Sequence, residues 1–457
     1  MQQYRNIVVL GAAYGGQSAA KVLAEGVSKL PGNWRVVAID RNSHLNHVYA
    51  FPRFAVVGGH EHQAFIRYDG MVPPDKSSRL LNLTAQAQSL SPHVVTLDRA
   101  LPEHGIPTPK LDFEYAIYGL GSTLPAPVNL WGPQLDAKMR ADPGTVETLQ
   151  VGSKASGIAW LKAAQKVIRE ARSVLVVGGG ALGIQFATDI ADVYPEKRVT
   201  LLHSRAQLLP RFSQEMHNEI LRQMNRLNVN VVLGERLDVQ SVAEKKSSLS
   251  GERVVRTTAG RELAADLVLM CTGQKPNTEI LRALEPTLLN EEGRVRVTRT
   301  LQLDSPVFAH MFAKPNTGVL CYLDPTLLVS DGRARVKRTL QLDSPYYPHI
   351  FAVGDSADAF GALASGRNAD FQGCLAARNI LRLIAQKEDP GPAPEPLEEY
   401  TPSPPGIKVS LGLRRAVIQS QDKVTAVDVG DNDDRRCAGM WRLFGHGRDV
   451  SDEYMRA

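Results

Sequence analysis

The clearest pattern in the chain is a short apolar run that stops at a glycine and resumes with helical spacing. Ile7 to Leu10 are consecutive apolar residues and read as a buried strand. Gly11 follows, and then Ala19, Ala20 and Leu23 recur on one helical face. Strand, tight turn and helix are therefore predicted between Asn6 and Leu23. The pattern returns at SVLVVGGGALGIQFATDIA, where a second apolar strand runs into Gly178, Gly180 and Gly183. Each unit is followed by another strand, WRVVAID (Trp34 to Asp40) and VTLLH (ending at His203). Helical periodicity covers Lys154 to Arg172, Ser213 to Leu227 and Ala369 to Leu383. A β-rich passage runs from Leu80 to Leu97, and Tyr115 to Tyr118 is a strand that leads into Gly119 and Gly121. The fold class predicted is α/β: two Rossmann-like dinucleotide-binding domains plus a small C-terminal α+β segment.

The glycine turns carry the chemistry. Backbone N–H groups and the positive end of a helix meet at one point, which suits a pyrophosphate. In the first turn Gly11 makes the bend and Gly16 lets helix and strand pack closely, with Tyr14 and Gly15 between them. Ala13 stands where the middle glycine usually is, so a methyl group faces the phosphate path. Asp40, about 24 positions after Gly16, is a carboxylate where ribose hydroxyls are bound, and Arg41 follows it. The second turn has all three glycines, but its following strand closes on His203, Ser204 and Arg205. An acid there favours the free ribose of NAD and an arginine accepts the extra phosphate of NADP, so the site reads as tolerant of NADPH with NADH not excluded. Gly273, in the turn CTGQKPN, joins this second set. Two such turns about 167 residues apart are most economically one bound flavin dinucleotide and one diffusing nicotinamide dinucleotide. Further flavin-side candidates are Gly121, where backbone can approach closely, Gly354, Asp355 and Gln372. Arg53 follows Pro52 in a predicted loop; it meets a pyrophosphate or flavin edge, or else forms a surface salt bridge.

Composition narrows the classes. A chain of 457 residues has room for two or three domains. Its 43% hydrophobic and 22% charged content is ordinary for a soluble globular protein. The net charge of +5 is scattered and gives no footprint for nucleic acid. No apolar stretch is long enough to cross a membrane. The N-terminus enters a strand directly, so no signal or transit peptide is expected, and Gln2 excludes N-myristoylation. Cys271, Cys321, Cys374 and Cys437 are far apart with no C-x-x-C, so neither a disulfide framework nor a redox dithiol is expected. His44, His47, His60 and His62 have ligand-like spacing, but no further cluster completes a site, and no metal is expected.

One segment repeats. Leu284 to Asn316 recurs from Leu323 to Asp355 at an offset of about 39 residues, and both copies contain RTLQLDSP. The second copy keeps Gly354 and Asp355, so the cofactor contact is assigned to it. The first copy is left as a sheet edge or a dimer contact. The expected boundaries are 1–135 with 290–388 for a flavin domain, 136–289 for a nicotinamide-dinucleotide domain, 389–406 for a proline-rich linker and 407–457 for the tail.

Taken in order, GAAYGG, GGGALG, CTGQKPN and FAVGD before a helix resemble the two-dinucleotide flavoprotein reductase superfamily. More narrowly, NHVYAFPR, LLHSRAQLLPRF, VVLGER and CTGQKPNTEIL resemble the apoptosis-inducing-factor-like group that includes the ferroptosis suppressor protein. The resemblance implies FAD in the first domain, NAD(P)H in the second and a quinone-like small-molecule acceptor. It puts FAD pyrophosphate at Gly11, Tyr14, Gly15 and Gly16, ribose at Asp40, a flavin neighbour at Arg53 and the flavin's ribityl or phosphate at Asp355. Gly178, Gly180 and Gly183 would take the nicotinamide dinucleotide. The group commonly carries a glutamate near the nicotinamide where this chain has Gln185, its one catalytic candidate. Two other functions stay open: a flavin monooxygenase or oxidase of a biosynthetic pathway, and a redox-sensing flavoprotein with little turnover. The expected location is cytoplasmic, with peripheral membrane contact through the tail and a homodimer left open.

Overall fold

The apolar run that opens the chain becomes the middle strand of a five-stranded parallel sheet. In the computed structural model, Arg5–Leu10 lies between Trp34–Asp40 and Tyr115–Tyr118, with Leu80–Thr84 and Ile350–Ala352 at the two edges. The described residues are 4–70, 79–91, 93–124, 128–131, 150–244, 246–248, 250–277, 333–335, 337–341, 349–389, 395–430, 437–447 and 450–456. They fall into two units: Met1–Leu45, Arg67–Thr123 and Lys275–Ser403 form one, and Asn46–Ile66, Leu124–Gln274 and Pro404–Ala457 the other.

In the first unit the chain leaves its first strand in one direction and returns on the other side. Register aligns Leu10 with Ile39 and with Tyr118, so Gly11, Asp40 and Gly119 share one end of the sheet. This is the switch point where open α/β sheets bind ligands. Val9, Trp34, Ile117, Phe351 and Ile380 are buried in the core of this unit. The first helix, Tyr14–Val27, packs along the long helix Gly366–Glu388. Small residues make that close approach feasible: a Cβ on Gly15 would strike the Ala369 carbonyl, and one on Gly373 would strike the Gly15 carbonyl. Ser18 Oγ donates to Asp370 across the same seam. The long helix begins three residues earlier than its periodicity suggests, because Ser365 Oγ accepts the Asn368 N–H. The proline-rich stretch is pinned to it. Buried Asn379 bonds both the N–H and the carbonyl of Glu398, and Arg378 and Arg382 pair with Glu398 and Glu395.

The second unit holds a four-stranded parallel sheet in the order Asn230–Leu233, Arg198–His203, Ser173–Val177, Leu267–Met270. Its helices are Lys154–Glu170, Ala181–Val193 and Gln214–Arg226, each within two residues of the periodic prediction where one was made. The unit also contains the one-turn helix Phe51–Phe54 and the antiparallel strands Gly406–Ser410, Arg415–Ser420 and Lys423–Asp428. Its last helices, Cys437–Leu443 and Asp452–Arg456, are anchored on the 61–64 turn. Trp441 Nε1 donates to the Gln63 carbonyl, and His62 Nε2 bonds Asp452 at 2.7 Å. Buried Lys154 donates to the Met455 carbonyl at 2.6 Å. Most of the expected linker from Asp136 to Gly152, the first repeat copy and most of the second lie outside the described residues.

Candidate functional site: two turns of one design

Each glycine turn is fixed by the same set of backbone contacts. Gly11 N donates to the Ile39 carbonyl at 2.8 Å, and Gly178 N to the Leu202 carbonyl at 2.8 Å. Gly119 N donates to the Leu10 carbonyl, and Cys271 N to the Val177 carbonyl. The two leading glycines sit at φ +87° and +126°, where L side chains are strained. A Cβ on either would collide with a carbonyl of the neighbouring strand, Gly119 or Cys271. The trailing glycines match as well: a Cβ on Gly16 would overlap the Gly11 carbonyl oxygen, and one on Gly183 the Gly178 oxygen. At these four positions any side chain would force the neighbouring backbone to shift.

The helices that leave the turns share a second trait. Helices Lys154–Glu170, Gln214–Arg226 and Gly366–Glu388 are each capped by a serine side chain. Tyr14–Val27 and Ala181–Val193 instead have Ala13 and Gly180 at the cap, with no side-chain acceptor for the first-turn N–H groups. An anionic diphosphate fits those donors, and dinucleotide cofactors therefore suit both turns. Ala13 and Gly180 are both exposed, at equivalent places. Gly180 has open space around a would-be Cβ.

The residue closing the following strand differs. Asp40 Oδ2 accepts the Ala12 N–H at 2.8 Å, and Oδ1 accepts the Asn42 N–H at 2.8 Å and its side-chain amide at 3.0 Å. Burial pushes the Asp40 carboxyl above its ordinary value, against these bonds and the Arg41 charge. In the second turn His203 Nδ1 accepts the Gly179 N–H at 3.0 Å. Ser204 and Arg205 follow it on the surface.

Other candidates gather in the first unit around a shallow, open depression. Gly354, Asp355, Asn368 and Gln372 line it. Gln372 is buried, and its Oε1 accepts the Gly354 N–H at 2.8 Å, so its carbonyl side orders the loop. Asp355 Oδ2 accepts from Ser122 Oγ at 2.8 Å, a partner the sequence did not suggest. Gly121, at φ +64°, precedes that serine. In the second unit Gly273, at φ +105°, is exposed beyond the central sheet. Beneath the second turn, burial pushes the Cys271 thiol up to about 12, so it serves as packing.

Arg53 departs from expectation. It lies on the helix Phe51–Phe54, is 1% exposed, and is no surface salt bridge. Nε and Nη2 clasp the Asp189 carboxylate at 2.9 and 3.0 Å, and Nη2 also donates to the Gly412 carbonyl. Two of its three nitrogens thus have structural partners; Nη1 has none among the described residues. Gln185, one helical turn before Asp189, is buried with its Nε2 likewise unpaired. Among the described residues no cluster of three or more His, Cys, Asp or Glu side chains could hold a metal ion. No helix among them is long and apolar enough to cross a membrane.

His203 and His217 give the second unit a pH dependence. Each accepts a backbone N–H on Nδ1, from Gly179 and from Leu208, which requires neutral rings. Burial holds both below the ordinary histidine value. On acidification the unfolded chain takes up these protons first, so stability present above the ordinary histidine pKa is lost as pH falls through the lower folded values. Thermal unfolding midpoints across that window are expected to drop with acid, and His217→Gln should flatten the slope. An unchanged slope would count against it.

With the geometry in view, the chain can be compared with known proteins. Residues 5–310 match the family described as pyridine nucleotide-disulphide oxidoreductase. Fe-regulated protein 8 of Mycosarcoma maydis is 38% identical over 454 residues, covering 98% of this chain and 96% of that protein. Ferroptosis suppressor protein 1 of Homo sapiens is 28% identical, over 65% of this chain and 70% of that one. Among solved structures, NDH2 of Plasmodium falciparum in complex with NADH superposes with a TM-score of 0.62 at 10% identity, covering 99% of this chain and 96% of that one.

Proposed function

The chain belongs to the pyridine nucleotide-disulphide oxidoreductase family, an NAD(P)H-dependent flavin oxidoreductase using FAD and NAD(P)H, and on that premise we propose that its electron acceptor is a quinone-like small molecule. When bound, FAD supplies the redox chemistry between NAD(P)H and the acceptor. The chain's own residues bind and orient. Gly11, Gly15 and Gly16 would cradle the FAD diphosphate, with Ala13 and Tyr14 opening the helix above it and Asp40 accepting ribose hydroxyls. Asp355, placed by Ser122, and Gln372, through Gly354, would fix the flavin end. Gly178, Gly180 and Gly183 would hold the nicotinamide dinucleotide, and Gln185 would present an uncharged amide on the nicotinamide side.

The observation that carries the reading is the second turn: a complete glycine frame above Cys271, a deeply buried thiol with no disulfide partner among the described residues. A disulphide-reducing cycle needs two cysteines in reach of each other, and the sequence has no C-x-x-C. Without such a dithiol, a small-molecule acceptor is the simpler exit for the electrons. The similarity to ferroptosis suppressor protein 1 supports that class of acceptor. The test is turnover of the purified yellow protein with NADPH or NADH and a panel of acceptors. Quinone-dependent oxidation well above the rate with oxygen alone is expected. Stoichiometric oxygen consumption indifferent to added quinone would overturn the choice of acceptor.

A further inference from the structure

Asp40 and His203 occupy the same place in two turns of one design, yet they offer a ribose opposite things. Resting on the assignment of the second turn to the nicotinamide dinucleotide, we propose that this turn selects a 2′-phosphorylated dinucleotide, NADPH, over NADH. His203 is the specificity-determining residue, and Ser204 and Arg205 are the ligands of the phosphate.

Two backbone groups of fixed polarity set the imidazole. The Gly179 N–H can only donate, so Nδ1 carries no proton; the Gln207 carbonyl, 3.1 Å from Nε2, can only accept, so Nε2 carries one. Both ring nitrogens are engaged, and the ring is neutral. It therefore fills the structural duty that Asp40 performs for Ala12, holding the second residue of the turn, without a negative charge. An acid here would accept two ribose hydroxyls and repel a phosphate on the same ribose. His203 does neither.

The charges nearby agree. Arg205 on the same loop and His217 on the facing helix are the titratable groups that act on the ring. Glu235, at the exit of the neighbouring strand, has both carboxylate oxygens engaged, by Arg261 and Thr257. The loop itself is fixed at its backbone: Gly234 N donates to the Arg205 carbonyl at 3.1 Å, and Glu235 N to the His203 carbonyl at 3.2 Å. Ser204 and Arg205 are exposed on this anchored loop. A guanidinium and a hydroxyl side by side suit a phosphate monoester. The first turn makes the complementary choice. Asp40 there keeps an acceptor for the unphosphorylated ribose of FAD.

The test uses the intact yellow protein and two ligands that carry no nicotinamide, 2′-phospho-ADP-ribose and ADP-ribose, measured by isothermal titration calorimetry. The phosphorylated ligand is expected to bind at least about tenfold more tightly, with the gap narrowing as salt is raised. His203→Asp should close or invert the gap with flavin absorbance unchanged. His203→Asn, neutral and still able to accept the Gly179 N–H, should preserve it. Arg205→Gln should weaken the phosphorylated ligand alone. Equal binding of the two ligands, or an unchanged ratio in His203→Asp, overturns the selectivity and leaves the site assignment standing. Binding of neither ligand overturns both together.

Discussion

Replacing Gly183 by alanine is expected to give a yellow protein that NADPH and NADH reduce only at much higher concentration. The added methyl would overlap the Gly178 carbonyl oxygen, and Gly178 is itself held at φ +126° with its N–H bonded to the Leu202 carbonyl. The turn has to open, which moves the amides that would face the diphosphate. Overpacking of this kind costs about 1–3 kcal/mol, which, if it falls on coenzyme binding, is roughly five- to 150-fold in affinity. The flavin stays because its proposed turn belongs to the other unit. Gly16→Ala, with the same overlap against Gly11, should do the reverse and yield a colourless protein. Anaerobic titration of the flavin's visible band checks the first case, and the absorbance of the purified protein the second. Full bleaching of Gly183→Ala at wild-type coenzyme levels would show that this frame is not the coenzyme's.

Arg53→Met is expected to be the most destabilising single change among the buried charges. Asp189 is fully buried, and its two carboxylate oxygens are both taken by Arg53. Removing the guanidinium strands a carboxylate away from water, a loss of about 3–5 kcal/mol. The double variant Arg53→Met, Asp189→Leu should recover most of that, since a well-packed apolar pair can replace a buried ion pair at little cost. Denaturant midpoints of the two variants decide it. A single variant as stable as the parent would mean that the pair contributes nothing to the fold.

How much of this was legible beforehand depends on sequence distance. The two turns, their strands and the helices after them are local, written in runs of apolar residues and glycines a few positions apart. They emerge with nearly the expected bounds. The cap of the long helix was missed because Ser365 sits in a glycine- and alanine-rich stretch with no apolar period to mark its start. The clasp between Arg53 and Asp189 joins residues separated by 136 positions, and no local pattern announces it. Nor does any pattern tie residues 46–66 to the second unit. Gln372 was picked for its place near a helix start, and its bond to the Gly354 backbone, 18 positions away, had no local signal. His203 was visible as a missing acid. Its use as the acid's neutral replacement required knowing that Gly179 N–H points at it.

The matched turns also separate what can change from what cannot. Leading and trailing glycines are hemmed in by main-chain atoms, whereas Ser204 and Arg205 lie on the surface, the loop held by the bond from Gly234 N to the Arg205 carbonyl. On the proposed assignment, coenzyme preference can be re-engineered in the side chains of one surface loop without touching the main-chain frame that would take the diphosphate.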